Sequence, residues 1–263
     1  MRERTQRELT RWRTNVGWAL RNQVNRARIA IELHVRHQPI ADVTRYERRV
    51  ASQNGEDGIL QAIFTAIGTT DKYFVEFGVG NGEQCNTAYL AAHRGWTGLL
   101  MDVEAGPPHA RIPVHQELVT AENVNALFEK YGVPASFDLL SIDIDGNDYW
   151  VWKAITAYRP RVVVIEYNAS VPPTESRTIP YDPAFRWSGT DYFGASLLAL
   201  AKLGQEKHYV LVGCDRSGTN AFFVDAALAA GHFVRRDVGV LYHPPAYRGG
   251  CGHPHDSRVM ITV

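Results

Sequence analysis

The chain predicts a doubly wound α/β fold. It has a mostly parallel seven-stranded sheet with helices on both faces, and an N-terminal helical arm precedes it. Three observations carry this. Short apolar runs alternate with helix-period runs from Tyr73 to Leu203, the pattern of βαβ units. The first apolar run breaks into glycines at alternate positions, Gly78, Gly80 and Gly82, ahead of a helical run. The last two apolar runs flank Asp215-Arg-Ser-Gly-Thr-Asn220, a polar link suited to an antiparallel hairpin.

In the arm, Leu9, Trp12, Val16, Leu20 and Val24 recur at spacings of three or four with arginines between. That spacing predicts a basic amphipathic helix. We place the arm at residues 1–45 and the main domain at 46–263. Such an arm packs on the body or on a second copy, which makes a homodimer one expectation. Arginines beside Trp12 and Trp18 also suit contact with an anionic lipid surface. Pro39 ends the arm. Ser52-Gln-Asn-Gly-Glu-Asp57 is a polar loop fit to cap a helix over Ile59–Ile67.

Strand one is expected at Tyr73–Phe77, followed by a helix over Asn86–His93. Strand two falls at Gly98–Met101 and a short third strand near Glu117–Thr120. A helix over Ala121–Tyr131 leads to strand four, Asp138–Ile142. A helix near Trp150–Tyr158 leads to strand five, Arg161–Ile165. After a long loop come a helix at Ala195–Leu203 and the hairpin strands Tyr209–Cys214 and Ala221–Val224.

At 263 residues the chain can bury one substantial core. Its 45% hydrophobic and 21% charged residues are ordinary for a globular protein. The 28 basic residues balance 28 acidic ones, so nucleic acid is not an expected partner. Charge is uneven, however: residues 1–49 carry all the excess of arginine over acid. No apolar stretch has the length of a membrane span, and the start lacks the apolar core of a secretion signal. Cys85, Cys214 and Cys251 are sparse and odd in number, which suits a reducing, cytoplasmic setting.

A strand ending in bare glycine backbone lets a flat, charged cofactor lie against main-chain N–H groups. The acid before the first glycine, Glu76, suits a ligand bearing an amino group and would repel a pyrophosphate. Asp102 follows Gly82 by 20 residues, at the tip of strand two. An acid at that distance takes ribose hydroxyls in doubly wound folds; Glu104 is the fallback. A NAD-type turn is the alternative.

These residues resemble the class I S-adenosylmethionine (SAM)-dependent methyltransferases, whose glycine motif has the form acid-x-Gly-x-Gly-x-Gly. Ser52 to Asp57 is similar to the Ser-Gln-x-Gly-Glu-Asp opening of the FkbM-type branch, where the segment sits beside the cofactor. That resemblance implies a Rossmann-like fold and a cofactor set of Gln53, Glu56, Glu76, Gly78, Gly80, Gly82 and Asp102. Glu122 and Asn123, after the third strand, are expected on the adenine side.

In open parallel sheets ligands sit beyond the carboxyl ends of the strands. Asp143, Asp145, Glu166 and Asn168 leave strands four and five there. Carboxylates plus an amide oxygen suit a hard divalent ion such as Mg²⁺. The arrangement resembles the metal-dependent catechol and macrolide-sugar O-methyltransferases, with Asp143 as the strand-four acid. Glu166 and Asn168 depart from that pattern, because Tyr167 separates a pair that is usually adjacent. The metal set is then Asp143, Glu166 and Asn168. Asp143, Asp145 and His243, in the rigid Tyr242-His-Pro-Pro245 loop, are the candidate bases; His253 and His255 are further tail histidines. Cys251-x-His253-x-His255 matches no standard zinc spacing. Tyr181, Trp187, Asp191 and Tyr192 lie in the long loop after strand five, where aromatic faces beside charged groups suit a sugar.

The expected activity is transfer of a methyl group to a hydroxyl of a saccharide or glycosylated metabolite, as in polysaccharide biosynthesis. The competing readings are a NAD-dependent oxidoreductase on the same fold and a non-catalytic protein attached through its basic arm. A protein or lipid acceptor also stays open.

Overall fold

Nine strands and seven α-helices are seen among the described residues of the computed structural model: 24, 27, 29–31, 38–80, 82, 85–104, 106, 112–247 and 250–263. The first part runs β1 (Tyr73–Phe77), α2 (Ala88–His93), β2 (Thr97–Asp102), β3 (Val114–Gln116) and α3 (Val124–Lys130), with α1 (Glu56–Ile67) ahead of them. It continues through β4 (Ser136–Ile142), α4 (Asp148–Ala154), β5 (Arg159–Glu166) and β6 (Arg177–Thr178). Last come α5 (Leu197–Glu206), β7 (Tyr209–Cys214), β8 (Asn220–Asp225), the short α6 (Ala226–Ala229) and α7 (Val238–Leu241), and β9 (Ile261–Thr262).

The main sheet has 7 strands in the order β3-β2-β1-β4-β5-β8-β7. The first five are parallel, and β8 and β7 close the sheet antiparallel. The chain therefore reverses its direction of winding between β1 and β4. That reversal opens a crevice at the carboxyl ends of the two strands. The third strand lies at Val114–Gln116 and not at Glu117–Thr120. Residues 117–120 are irregular and 121–123 form a turn, pinned by Asn123, whose Oδ1 accepts from Thr120 N at 2.8 Å and whose Nδ2 donates to Leu118 O at 2.8 Å. Local side-chain bonding of that kind competes with the ladder.

Side chains alternate across each strand. Val75, Phe77, Leu140, Ile142, Val163 and Ile165 pack under α3, α4 and α5. Phe74, Leu139, Val162, Val164, Phe222 and Val224 pack under α1 and α2 on the other face. The residues continuing this second set are polar at the strand ends: Glu76, Ser141, Glu166 and Asn220. This parity decides the site.

Ser52-Gln-Asn-Gly-Glu-Asp57 is built around Asp57, which is 2% exposed. Asp57 Oδ2 accepts from Val50 N, Ala51 N, Ser52 N and Ser52 Oγ at 2.8–3.0 Å, which locks the entry to α1. At the opposite end of the sheet, Arg161 donates to buried Asp138 at 2.6 Å and to the carbonyls of Ile67 and Gly68. It ties the end of α1 to β4 and β5. The two-stranded β6–β9 ladder fastens the long loop after β5 to residues 261–262.

Most of the arm lies outside the described residues, as do Asn81, Glu83 and Gln84. Ile29 is buried in the α1/α2 face. Among the described residues no helix is long and apolar enough to cross a membrane.

Candidate active site at the strand ends

A cleft of about 710 Å³ opens at the β1–β4 reversal, within the range of small-ligand sites. Gly78 has φ 79°, and a Cβ there would lie 1.3 Å from Asp143 O. Only glycine lets the end of β1 pass so close to β4. Gly80 also has positive φ and donates its N–H to Asp102 Oδ2 at 2.8 Å. Asp102 Oδ1 accepts from Glu104 N at 3.0 Å. Asp102 thus holds the glycine turn while its remaining lone pairs face the cleft. Gly82 donates to Val79 O and stands against Val114 rather than in the cleft wall.

Glu76 is 3% exposed. Oε1 accepts from Asn86 N and Ser141 Oγ, at 2.7 and 3.1 Å. Oε2 accepts from the backbone N and the hydroxyl of Thr87. Glu76 lines the cleft as expected of a cofactor-side residue, while its carboxylate accepts four hydrogen bonds from the chain and anchors the start of α2. Burial raises its pKa, opposed by those hydrogen bonds.

Glu56 accepts from Asn54 N at 2.9 Å and from Asn220 Nδ2 at 3.0 Å. Gln53 and Glu56 both line the cleft.

Across the cleft, ligand atoms of Asp143, Asp145 and Glu166 lie within 4.8 Å of one another. Burial comes first, then Asp145, Asp148, Glu76 and Glu56, in pushing the Asp143 pKa well above the ordinary carboxylate range. Burial and then Asp143 do the same to Glu166. Glu166 Oε2 is buried without a hydrogen-bond partner. Asp145 has φ 54°, unusual for a residue with a side chain; burial and then Asp102 raise its pKa. The loop is held by Asp148, which accepts from Ile144 N and Gly146 N at 2.9 Å each and is pushed up to about 6 by burial.

Three mutually repelling carboxylates and an unpartnered buried oxygen fit a hard cation. Asn168 does not join them. It is fully buried, donates to the carbonyls of Asp191 and Phe193 at 2.7 and 2.9 Å, and accepts from Ser170 N at 2.9 Å. Its amide is spent on folding the loop. Asn168 shares the parity of Glu166, but β5 ends at Glu166 and parity no longer governs the loop beyond it.

Other expected residues also lie outside the cleft lining. Glu122 accepts from the Tyr181 hydroxyl, which also accepts from Ala121 N at 3.2 Å. Asn123 is the turn residue described above. Asp191 accepts from Asp256 N at 2.7 Å and meets His255 Nδ1 at 3.0 Å, and Arg258 stacks over Tyr192 at 4.2 Å. These two residues fasten the C-terminal segment. The backbone of His243 pairs with the Tyr167 hydroxyl at 2.7 Å through its carbonyl, and its side chain is not in the lining. His253 packs against Trp187 and Tyr247 with ring centroids 4.7 and 4.8 Å away. The acidic trio is the metal-ligand-like group among the described residues, and no Cys–His group joins it.

Trp187 does line the cleft, with Pro183, Phe185 and Arg186. The Phe185 ring sits where a Cβ on Gly146 would approach to 2.5 Å. All four belong to the Tyr181–Trp187 stretch expected at the acceptor, although only Trp187 among them is singled out as a candidate. A signal was present, since Pro183-Ala-Phe-Arg-Trp187 concentrates aromatic and cationic side chains.

A sheet of 7 strands in this order, closed by an antiparallel pair and carrying a glycine turn at its reversal, defines the class I methyltransferase fold. The chain belongs to the FkbM family: the model described as methyltransferase FkbM domain matches residues 62–204, more than half of the chain. It is therefore a SAM-dependent methyltransferase, which sets aside the NAD-dependent oxidoreductase. Among solved structures it is similar to the 1,6-didemethyltoxoflavin-N1-methyltransferase of Burkholderia thailandensis, crystallised with 1,6-didemethyltoxoflavin and S-adenosylhomocysteine. The identity is 13% over 63% of this chain and 74% of that one, with a TM-score of 0.40. At that distance the likeness says nothing about the acceptor. No curated protein sequence matches the chain.

Proposed function

We propose that this enzyme transfers the methyl group to a hydroxyl of a saccharide or glycosylated metabolite, assisted by a divalent cation such as Mg²⁺. The observation that carries the reading is the Asp143–Asp145–Glu166 group, within 4.8 Å and beside the glycine turn. SAM would lie against the Gly78–Gly80 backbone with its ribose toward Asp102. Gln53 and Glu56 would flank it. The carboxylates lining the cleft favour a sulfonium cation. A hard cation at the trio would lower the pKa of an acceptor hydroxyl.

The protein's own task is mostly positional, because the sulfonium already activates the methyl group. Asp143 or Asp145 would accept the proton of the acceptor hydroxyl. Trp187 and Phe185 offer apolar faces for a sugar ring, and Arg186 is the sole Lys or Arg of the lining among the described residues.

The test is transfer of labelled methyl from SAM across a saccharide panel, with Asp143→Ala as blank. Turnover should vanish in EDTA and return with Mg²⁺. Full activity in chelator would remove the cation, and full activity of Asp143→Ala would remove the site. A homodimer and a membrane-contacting arm stay as proposals for analytical ultracentrifugation and vesicle flotation.

A further inference from the structure

Asn220 falls at the end of the hairpin link in the sequence, where it looks like a turn residue. In the structure it opens β8 and is 2% exposed. The register pairs Ile142 with Ile165 and Glu166 with Asn220. One rung beyond Ile142, Asp143 therefore lies level with Glu166, and Asn220 lies level with Glu166 on its other side. All three continue the α1/α2 face, because Leu139, Val162, Val164, Phe222 and Val224 share it. Directly opposed residues on an antiparallel pair have Cβ atoms about 5 Å apart on one face.

The hydrogen bonds of Asn220 are lopsided. Nδ2 donates to Glu56 Oε1 at 3.0 Å. Oδ1 is buried with no partner, as is Glu166 Oε2 beside it, and both residues line the cleft. The bond to Glu56 takes up the nitrogen side of the amide and leaves its oxygen as the open group. Leaving an acceptor buried and unpaired is costly, and two neighbouring ones on the same wall call for a donor or a cation. Three carboxylates in the same place favour the cation.

We propose that Asn220 Oδ1 is the neutral ligand of the cation site, completing Asp143, Asp145 and Glu166. It takes the part that Asn168, held by its loop, does not. The proposal rests on the cation reading above. Glu56, which belongs to the Ser52–Asp57 segment, then acts as a positioning residue that orients the amide.

The test is Mn²⁺ titration of the chelator-stripped full chain, followed by the electron paramagnetic resonance signal of free Mn²⁺. Asn220→Ala and Asn220→Asp are compared with the wild type. Alanine removes both the oxygen and the donor to Glu56, whereas aspartate removes only the donor. Mn²⁺ should bind the wild type at one site. Asn220→Ala should bind at least about 10-fold more weakly, as for loss of a supporting group. Asn220→Asp should bind at least as tightly as the wild type. Equal weakening of both variants would overturn the proposal and leave Asn220 a purely structural partner of Glu56. Unchanged affinity in Asn220→Ala would also overturn it while the cation site stands. No Mn²⁺ bound by the wild type would sink the cation reading itself. Asn220→Ser, too short to reach, replaces alanine if that variant does not fold.

Discussion

Glu166→Gln should make the cation-free protein more stable at neutral pH, the reverse of what most buried substitutions do. Asp143 and Glu166 have oxygens within 4.8 Å. At the effective dielectric of about 20 that describes such sites, two full charges at that distance repel by about 3 kcal/mol. Asp145 is crowded by the cleft walls but keeps part of its surface in solvent, so its share is screened further. Both inner carboxyls have pKa values raised above their unfolded ones, so the folded state holds protons that the unfolded chain has released. Stability is therefore fully present below the ordinary carboxylate range and falls as pH rises through the raised values. In EDTA the wild-type melting temperature should drop between pH 5 and pH 8. In Glu166→Gln that drop should shrink. A protein of this size moves about 2–4 °C per kcal/mol, so the variant should melt roughly 6–12 °C above the wild type at pH 8. Saturating Mg²⁺ should erase the difference by stabilising the wild type alone. If the chelated wild type melts at one temperature across this range, and the glutamine variant is no more stable at pH 8, the electrostatic account is wrong.

Gly78→Ala should leave little folded protein, since strand ends and not a flexible side chain must move to relieve a 1.3 Å approach; circular dichroism melts check this, and a wild-type melt would refute the close packing. Arg161→Ala should cost about 1.5–3 kcal/mol in urea unfolding, because it removes the cation from the buried carboxylate of Asp138 and leaves it the bonds from Thr70 and Lys72 N. Asp102→Ala should weaken S-adenosylhomocysteine binding about 10-fold or more by calorimetry, through lost hydroxyl contacts and a loosened Gly80 turn; unchanged affinity would move the ribose elsewhere. Trp187→Ala should raise the KM for a saccharide acceptor several-fold and leave calorimetric S-adenosylhomocysteine affinity unchanged; a matched loss of both would place Trp187 on the donor side.

The fold was legible in sequence because its signals are local. Apolar runs such as Val162–Ile165 and glycines at 78, 80 and 82 mark strands and a turn without reference to distant residues. The third strand was misplaced because Val114–Gln116 is short and its flank, 117–123, is held by side-chain bonds that leave no periodic trace. Gly78 was recognisable for the same local reason. The backbone approach that requires it was not, since Asp143 lies 65 positions on.

Residue type alone suggested which side chains meet, and it did so without regard to what each had already bonded. Glu76, Asn168 and Asp191 are polar and well placed in the chain, yet the first two are spent on Asn86, Thr87 and the loop at 191–193, and the third on His255 and Asp256. Local patterning was enough for the doubly wound class, the glycine turn and the acids of β4 and β5, because strand periodicity and turn chemistry act over a few neighbours. Which oxygens remain free at the cleft is set by the folded chain. That depends on strand register, which sets Glu166 beside Asn220 from a stretch of chain far along, and on hydrogen-bond saturation, which no spacing rule records.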